Sequence, residues 1–110
     1  MKMSTRNESG ATVVSVKGKV DTVTAPEFGK YLNEQISKNQ NSLIVNMAEL
    51  YYMTSAGLRE ILGAGKELKD KGHEILLAGL QDNIRDVFQI SGFASLFKIF
   101  DTEKSALEQV

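Results

Sequence analysis

The sequence contains no cysteine, no tryptophan, and only one proline and one histidine. Without cysteine the chain has no disulfide framework, no thiol nucleophile and no thiolate metal site. Charge of one sign is not in excess either, since 13 Lys and Arg residues stand against 14 Asp and Glu residues. This balance argues against nucleic acid or an anionic membrane surface as a partner.

Long apolar runs are also missing from the chain. No uninterrupted hydrophobic segment approaches the length that spans a bilayer, so we expect no membrane insertion. The first ten residues, Met1–Gly10, are mostly polar and lack the apolar core of a secretory signal peptide. A cytoplasmic location is therefore predicted.

The remaining composition is ordinary for one folded domain. The chain has 110 residues, of which 42% are hydrophobic and 25% are charged. This length provides for one core but is too short for two domains. Because no linker, low-complexity segment or repeat interrupts the sequence, we expect residues 1–110 to form a single domain.

Strands are predicted where β-branched or apolar residues cluster between turn signals. The predicted strands are residues 2–8 at an edge, 12–17 ending at Gly18, 43–47, 74–79 and 96–100.

Helices are predicted where apolar residues recur three or four positions apart. The first has a Thr24–Glu27 capping box, an inner face of Phe28, Leu32 and Ile36, and an end near Lys38. The second helix begins after Thr54–Ser55 and ends at Gly72, and the third begins after Asp82. The fourth begins after Asp101 or Thr102 and carries Ala106, Leu107 and Val110. Strands that alternate with helices predict an α/β domain with parallel later strands and right-handed crossovers.

The junction before the second long helix, residues 51–62, has the most chemical content. Thr54 and Ser55 follow an apolar run, and a hydroxyl at this point can cap the first free N–H groups of a helix. The same N–H groups and the helix dipole favour a phosphate. Spacing alone favours a simple cap and does not distinguish it from a phosphorylation site.

Catalysis by Ser55 is not expected. A nucleophile elbow requires Gly two residues before the serine, where Met53 stands. The only histidine, His73, lies eighteen residues further on, about 27 Å away at roughly 1.5 Å per helical residue. A Ser–His pair is therefore excluded if the helix is continuous, and we expect no enzyme activity.

Nucleotide and metal sites are not expected either. The segment 63–66 lacks the first glycine and the final Ser or Thr of a phosphate-binding loop, so its glycines and Ala64 are interpreted as close-packing positions. Asp21, Glu49 and Asp82 are isolated acidic residues, which predicts no metal and no cofactor. A phosphoacceptor receiver domain is disfavoured because Glu49 stands alone after its strand.

Three segments together resemble a known family. Residues 43–58 resemble the signature of STAS-domain anti-sigma factor antagonists, in which a hydrophobic strand precedes an Asp-Ser-Ser/Ala-Gly-Leu helix start. Residues 18–25 and 90–99 resemble two further segments of that family, in the same order. The resemblance implies the STAS fold: a mixed, mostly parallel sheet of four to five strands with about four helices.

The resemblance also implies a function as a partner switch. The unphosphorylated protein would bind an anti-sigma factor that is also a serine kinase, and so release a sigma factor. That kinase would phosphorylate Ser55, and a PP2C-type phosphatase would restore binding. The implied partner-binding residues are Asp21, Thr22, Thr24, Tyr52, Met53, Thr54, Ala56, Gly57, Leu58 and Arg59.

Three positions depart from the family pattern or narrow it. Thr54 replaces the usual Asp before the serine, and Asn46 replaces a frequent Asp at the end of the strand. Ala56 replaces a second serine, which leaves Ser55 as the acceptor.

The alternative function is a STAS interaction subunit of a sensory or transporter complex that is not phosphorylated in use. The near-neutral charge is compatible with a monomer.

Overall fold

Five strands form one sheet whose spatial order is the chain order, β1-β2-β3-β4-β5. The computed structural model describes all 110 residues. The strands are β1 (Lys2–Glu8), β2 (Ala11–Val20), β3 (Ser42–Met53), β4 (Ile75–Ala78) and β5 (Lys98–Phe100). The helices are α1 (Ala25–Lys38), α2 (Ser55–Asp70), α3 (Asp82–Ile90) and α4 (Glu103–Leu107), with a 3-10 turn at Ala94–Leu96.

The sheet is mixed and mostly parallel. β1 pairs antiparallel with β2 through a tight turn at Ser9 and Gly10, both with positive φ. The pairs β2–β3, β3–β4 and β4–β5 are parallel, and each of these connections contains a helix, because a parallel pair needs a crossover. The predicted α/β fold, a mixed and mostly parallel sheet of four to five strands with about four helices, is confirmed.

The two faces of the sheet are covered unequally. A cluster of 21 buried residues joins one face to α1, α2 and α3. Phe28, Leu32 and Ile36 of α1 lie in this cluster, as their spacing predicts. The second face has a cluster of only six buried residues, in which Ala106 represents α4. None of the helices is long and apolar enough to cross a membrane.

Two predicted strand ends are wrong, and both errors concern the functional junction. β2 does not stop at Gly18, which has a φ of +105° beside a register shift, but continues to Val20. β3 does not end at Met47 but runs on to Met53, still paired with β2. β2 and β3 therefore extend together well beyond the end of β4, which pairs with β3 only as far as Asn46.

Further differences lie in β4, which is one residue shorter at each end than predicted, at the C-terminal end and in the helix caps. β5 is shorter than predicted because Ala94–Leu96 forms a 3-10 turn, and α4 ends at Leu107 rather than at Val110. Thr102 caps α4, since its side chain accepts a hydrogen bond from the Ser105 N–H at 3.1 Å. Gln81, not Asp82, occupies the capping position of α3.

Gly72 ends α2 in the left-handed conformation, as predicted. The N–H groups of Gly72 and His73 donate back to the carbonyls of Lys69 and Leu68, which is a Schellman motif.

Candidate functional site

The site begins where two adjacent parallel strands end at the same edge of the sheet. Val20 of β2 is aligned with Met53 of β3. One residue later the Thr54 N–H donates to the Val20 carbonyl at 3.0 Å. The turn that leads into α1 and the start of α2 therefore leave the sheet side by side. Through this register, the predicted residues Asp21 and Ser55 lie just beyond two neighbouring strand ends.

The turn after β2 is organised by Asp21. Its Oδ1 accepts from the N–H groups of Val23 and Thr24, both at 3.0 Å, and from the Thr24 hydroxyl at 3.1 Å. The Thr24 Oγ1 in turn accepts from the Asp21 N–H at 2.8 Å. This reciprocal pair of hydrogen bonds is a capping box between Asp21 and Thr24. It lies three residues earlier than the predicted Thr24–Glu27 box. The predicted box is absent because the Thr24 hydroxyl points toward Asp21.

These contacts determine the charge state of the turn. Donation from the Thr24 N–H, followed by that from the Thr24 hydroxyl and the Val23 N–H, lowers the pKa of Asp21 below its usual value. Lys19 lies 3.7 Å from the same carboxylate and acts in the same direction. A fixed negative charge therefore lies next to the start of α2.

Ser55 is the first residue of α2 and is exposed. Thr54 is the capping residue by backbone geometry, but its side chain makes no capping bond, so the predicted hydroxyl cap at Thr54 is wrong. Its Oγ1 is buried without any hydrogen-bond partner. The Gly57 and Leu58 N–H groups donate to the Thr54 carbonyl, whereas those of Ser55 and Ala56 have no acceptor within the chain.

Close packing brings the first turn of α2 onto the sheet. A Cβ atom at Gly57 would lie 2.7 Å from Val20 Cγ1 and 3.1 Å from Met53 Cγ, so only glycine allows this approach. Leu58 and Met53 are buried beneath the turn, with exposed fractions of 0% and 2%. Three of the predicted partner-binding residues, Met53, Gly57 and Leu58, therefore position the surface from below instead of presenting side chains on it.

The other predicted partner-binding residues reach the surface around Ser55. Thr22, Tyr52 and Arg59 are exposed, and Asp21, Thr24, Thr54 and Ala56 are half-buried. The structure brings these residues together because they come from the ends of β2 and β3 and from the first turn of α2.

Two further apolar side chains beside this group are exposed, and neither is among the predicted partner-binding residues. Val23 is 86% exposed at the tip of the Asp21 turn, and Tyr51 is 57% exposed near the end of β3. The Tyr51 carbonyl accepts from Asn83 Nδ2 of α3 at 2.8 Å, which fixes the strand end from the other side. For Tyr51 the adjacent tyrosine pair is a signal in the sequence, but sequence alone leaves open whether such a pair is packed or exposed. For Val23, no feature of the sequence indicates that the side chain is exposed.

The geometry separates Ser55 from the only histidine of the chain. α2 is continuous from Ser55 to Asp70, and His73 follows its far end, so the two side chains lie at opposite ends of the helix.

Of the glycines in the segment 63–66, Gly65 packs closely, since a Cβ atom there would lie 3.1 Å from Ile75 Cγ2. Gly63 has no atom within 4 Å of such a Cβ, so its interpretation as a packing position is wrong.

Comparison with known proteins agrees with this architecture. A model of the STAS domain family matches residues 2–106. BtrV of Bordetella bronchiseptica, provisionally named an anti-sigma factor antagonist, is 30% identical over 96% of this chain and 91% of its own length. The anti-sigma-B factor antagonist of Listeria monocytogenes is 32% identical over 82% of this chain and 79% of its own length.

Solved structures show the same fold at lower sequence identity. The anti-sigma factor antagonist SpoIIAA in its unphosphorylated form superposes with a TM-score of 0.83 at 22% identity, covering 98% of this chain and 95% of that one. The phosphorylated form of SpoIIAA from Bacillus gives a TM-score of 0.73 at the same identity, covering 98% of both chains. The fold is thus that of a small α/β domain. The chain belongs to the STAS domain family, and its relatives include anti-sigma factor antagonists.

Proposed function

We propose that this protein is an anti-sigma factor antagonist whose binding is switched off by phosphorylation of Ser55. The observation that supports the proposal best is the position of Ser55, exposed at the first residue of α2, where two strand ends and two helix starts form one surface. The names of the relatives support the same class of function. A relative of the same fold exists in a phosphorylated form.

The start of α2 can accept a phosphate without unfolding. A phosphoserine adds about −1.5 to −2 charges at neutral pH. The Ser55 and Ala56 N–H groups have no acceptor in the chain and lie at the positive end of the helix dipole. We therefore expect the phosphorylated chain to keep its fold.

The cost of phosphorylation falls on the complex. A partner that packs over Ser55 in its neutral form would have to desolvate a dianion, which is unfavourable unless new cations pair with it. The Asp21 carboxylate is held ionised in the adjacent turn, and its repulsion of the phosphate would strengthen when a partner excludes water from the surface. Binding is therefore lost while the antagonist itself remains folded.

The proposed partners follow from this switch. An anti-sigma factor that is also a serine kinase would bind the surface formed by Asp21, Thr22, Thr24, Tyr52, Thr54, Ala56 and Arg59, supported from below by Met53, Gly57 and Leu58. We add Val23 and Tyr51 to this surface because both are largely exposed beside it. A PP2C-type phosphatase would remove the phosphate. We place this cycle in the cytoplasm, with a monomeric antagonist.

Binding measurements on Ser55 variants test the proposal. Ser55→Ala should keep the affinity of wild type for the cognate anti-sigma factor, and Ser55→Asp should weaken binding by at least about ten-fold, as measured by isothermal titration calorimetry. Ser37→Asp is the matched control, because Ser37 is also exposed but lies near the far end of α1.

Intact-mass measurement tests the covalent step. Incubation with ATP and the anti-sigma factor should add one phosphate to wild type and none to Ser55→Ala. A Ser55→Asp variant that binds as tightly as wild type, or a phosphate that maps to another residue, would contradict the proposal.

A further inference from the structure

A second concave region lies away from Ser55, between the C-terminal half of α2 and the segment that enters β5. The cleft has a volume of about 500 Å³, which is within the range of small-molecule sites. Its lining residues are Leu62, Gly65, Lys66, Lys69, His73, Glu74, Ile75, Leu96, Phe97 and Lys98. Lys66 lies three helical turns beyond Ser55, so the cleft is separate from the proposed switch surface.

The floor of the cleft is apolar and preformed. The Phe97 ring packs edge-on against Phe88 of the main core, with 5.8 Å between centroids. Gly65 brings α2 so close that a Cβ atom there would lie 3.1 Å from Ile75 Cγ2 and 3.7 Å from Phe97 Cε1. Leu96 is 61% exposed at the edge of this floor, although a leucine gains free energy when it is covered.

The rim of the cleft is cationic, although the whole chain has a formal charge of −1. Lys66 and Lys69 take part in none of the seven ion pairs. Lys98 is neutralised by Glu74 at 2.8 Å, which is the only acidic residue in the lining. Lys69 lies in the last turn of α2, where the helix dipole explains a cation. Lys66 lies outside that turn, and the dipole does not explain it.

We propose that this cleft binds an anionic amphiphile, namely a carboxylate with a medium or long alkyl chain. The alkyl chain lies along Ile75, Leu96 and Phe97, and the carboxylate lies between Lys66 and Lys69. The combination of an apolar floor with two unpaired cations on one side selects a ligand that has both parts. A short carboxylate would lack the apolar contact, and a cationic detergent would be repelled by the rim.

Titration of the ¹⁵N-labelled full-length chain with dodecanoate, kept below its micelle concentration, tests the proposal by NMR. Saturable shifts are expected at the amides of the residues that line the cleft. Butanoate and dodecyltrimethylammonium should give no saturable shifts there. The double variant Lys66→Glu/Lys69→Glu should bind dodecanoate at least about ten-fold more weakly than wild type. Leu96→Asp should also lower the affinity for dodecanoate.

The control is Lys30→Glu/Lys38→Glu, which reverses two exposed lysines on α1 and should bind dodecanoate as wild type does. The spectrum of each variant without ligand shows whether it is folded. The proposal is overturned if dodecanoate gives no saturable shifts in wild type, if the shifts map away from the cleft, or if the Lys66→Glu/Lys69→Glu variant binds as tightly as wild type. Equal binding of butanoate would show that the cleft is a simple anion site, and this result would also overturn the proposal.

Discussion

At the scale of single residues, Thr54 is the position of the site whose buried hydroxyl lacks a hydrogen-bond partner. Its Oγ1 is buried without a partner, and burial of an unpaired hydroxyl costs roughly 1–3 kcal/mol. Thr54→Val keeps the shape and removes the polar atom, so it should raise the free energy of unfolding by about 1 kcal/mol. Urea unfolding followed by circular dichroism measures this, since the chain has no tryptophan.

Thr12 provides the matched control for Thr54. It is 1% exposed, and its hydroxyl donates to Asn7 Oδ1 at 2.9 Å. Thr12→Val therefore loses this hydrogen bond, so it should lower the free energy of unfolding by about 1 kcal/mol. If Thr54→Val destabilised the chain as much as Thr12→Val, the Thr54 hydroxyl would have to be satisfied in solution.

The charge of Asp21 gives a pH dependence of stability. Its pKa is lowered in the folded chain, mainly by the Thr24 N–H, so the unfolded chain binds this proton at a higher pH than the folded chain does. The stabilisation is thus complete above the unfolded value of about 3.9 and is lost as pH falls through the lower folded value. Asp21→Asn should be less stable than wild type at pH 7, and the difference should shrink below about pH 4.

Urea midpoints at pH 7, 5, 4 and 3 measure this difference. Asp86→Asn is the control, because Asp86 is exposed on α3 and forms no ion pair. Its difference from wild type should stay small at every pH. A constant difference between wild type and Asp21→Asn from pH 7 to pH 3 would contradict the proposed role of the charge.

At the scale of elements, sequence pattern located the regular parts of the helices and missed the strand ends. Phe28, Leu32 and Ile36 were predictable because α1 is long and one of its faces is buried throughout. The extension of β3 to Met53 was not predictable, since exposed residues such as Glu49 and Tyr52 break the alternation where the ladder with β2 changes register. Which side chains at the junction face inward depends on that register, and the sequence does not reveal it.

The first turn of α2 depends on glycine, and the same helix contains its own control. Gly57→Ala introduces a Cβ atom that would lie 2.7 Å from Val20 Cγ1. We expect it to lower the free energy of unfolding by about 1–3 kcal/mol, because overpacking outweighs the gain in helix propensity. Gly63→Ala meets no atom within 4 Å and should raise it by about 0.5–1 kcal/mol. Urea unfolding of both variants measures the contrast, and equal effects of the two would contradict it.

At the scale of the whole molecule, the sheet is covered unequally, and we expect α4, which lies away from the proposed switch surface, to open most easily. α4 has five residues and contributes a single fully buried side chain, Ala106, to the small second cluster. Elements with few buried contacts open at free energies below global unfolding. The family resemblance identified the fold as a whole, but not this asymmetry, which depends on how short α4 turns out to be.

Glu103 ties α4 to the sheet and provides the test of that separation. Its carboxylate accepts from Arg6 of β1, which lowers its pKa most strongly, and from Asn46 Nδ2 of β3 at 3.0 Å. Glu103→Gln removes the charge of this junction, so amide exchange at Ala106 should accelerate by about ten-fold. Glu108→Gln, at an exposed residue just after α4 with no ion pair, should leave exchange unchanged.

Binding of the anti-sigma factor should be the same for both variants, because α4 covers the second face of the sheet and the switch surface lies at the ends of β2 and β3. A Glu103→Gln variant that exchanged as slowly as wild type at Ala106 would show that apolar packing alone holds α4. Loss of partner binding in that variant would instead show that the two regions are coupled through the sheet.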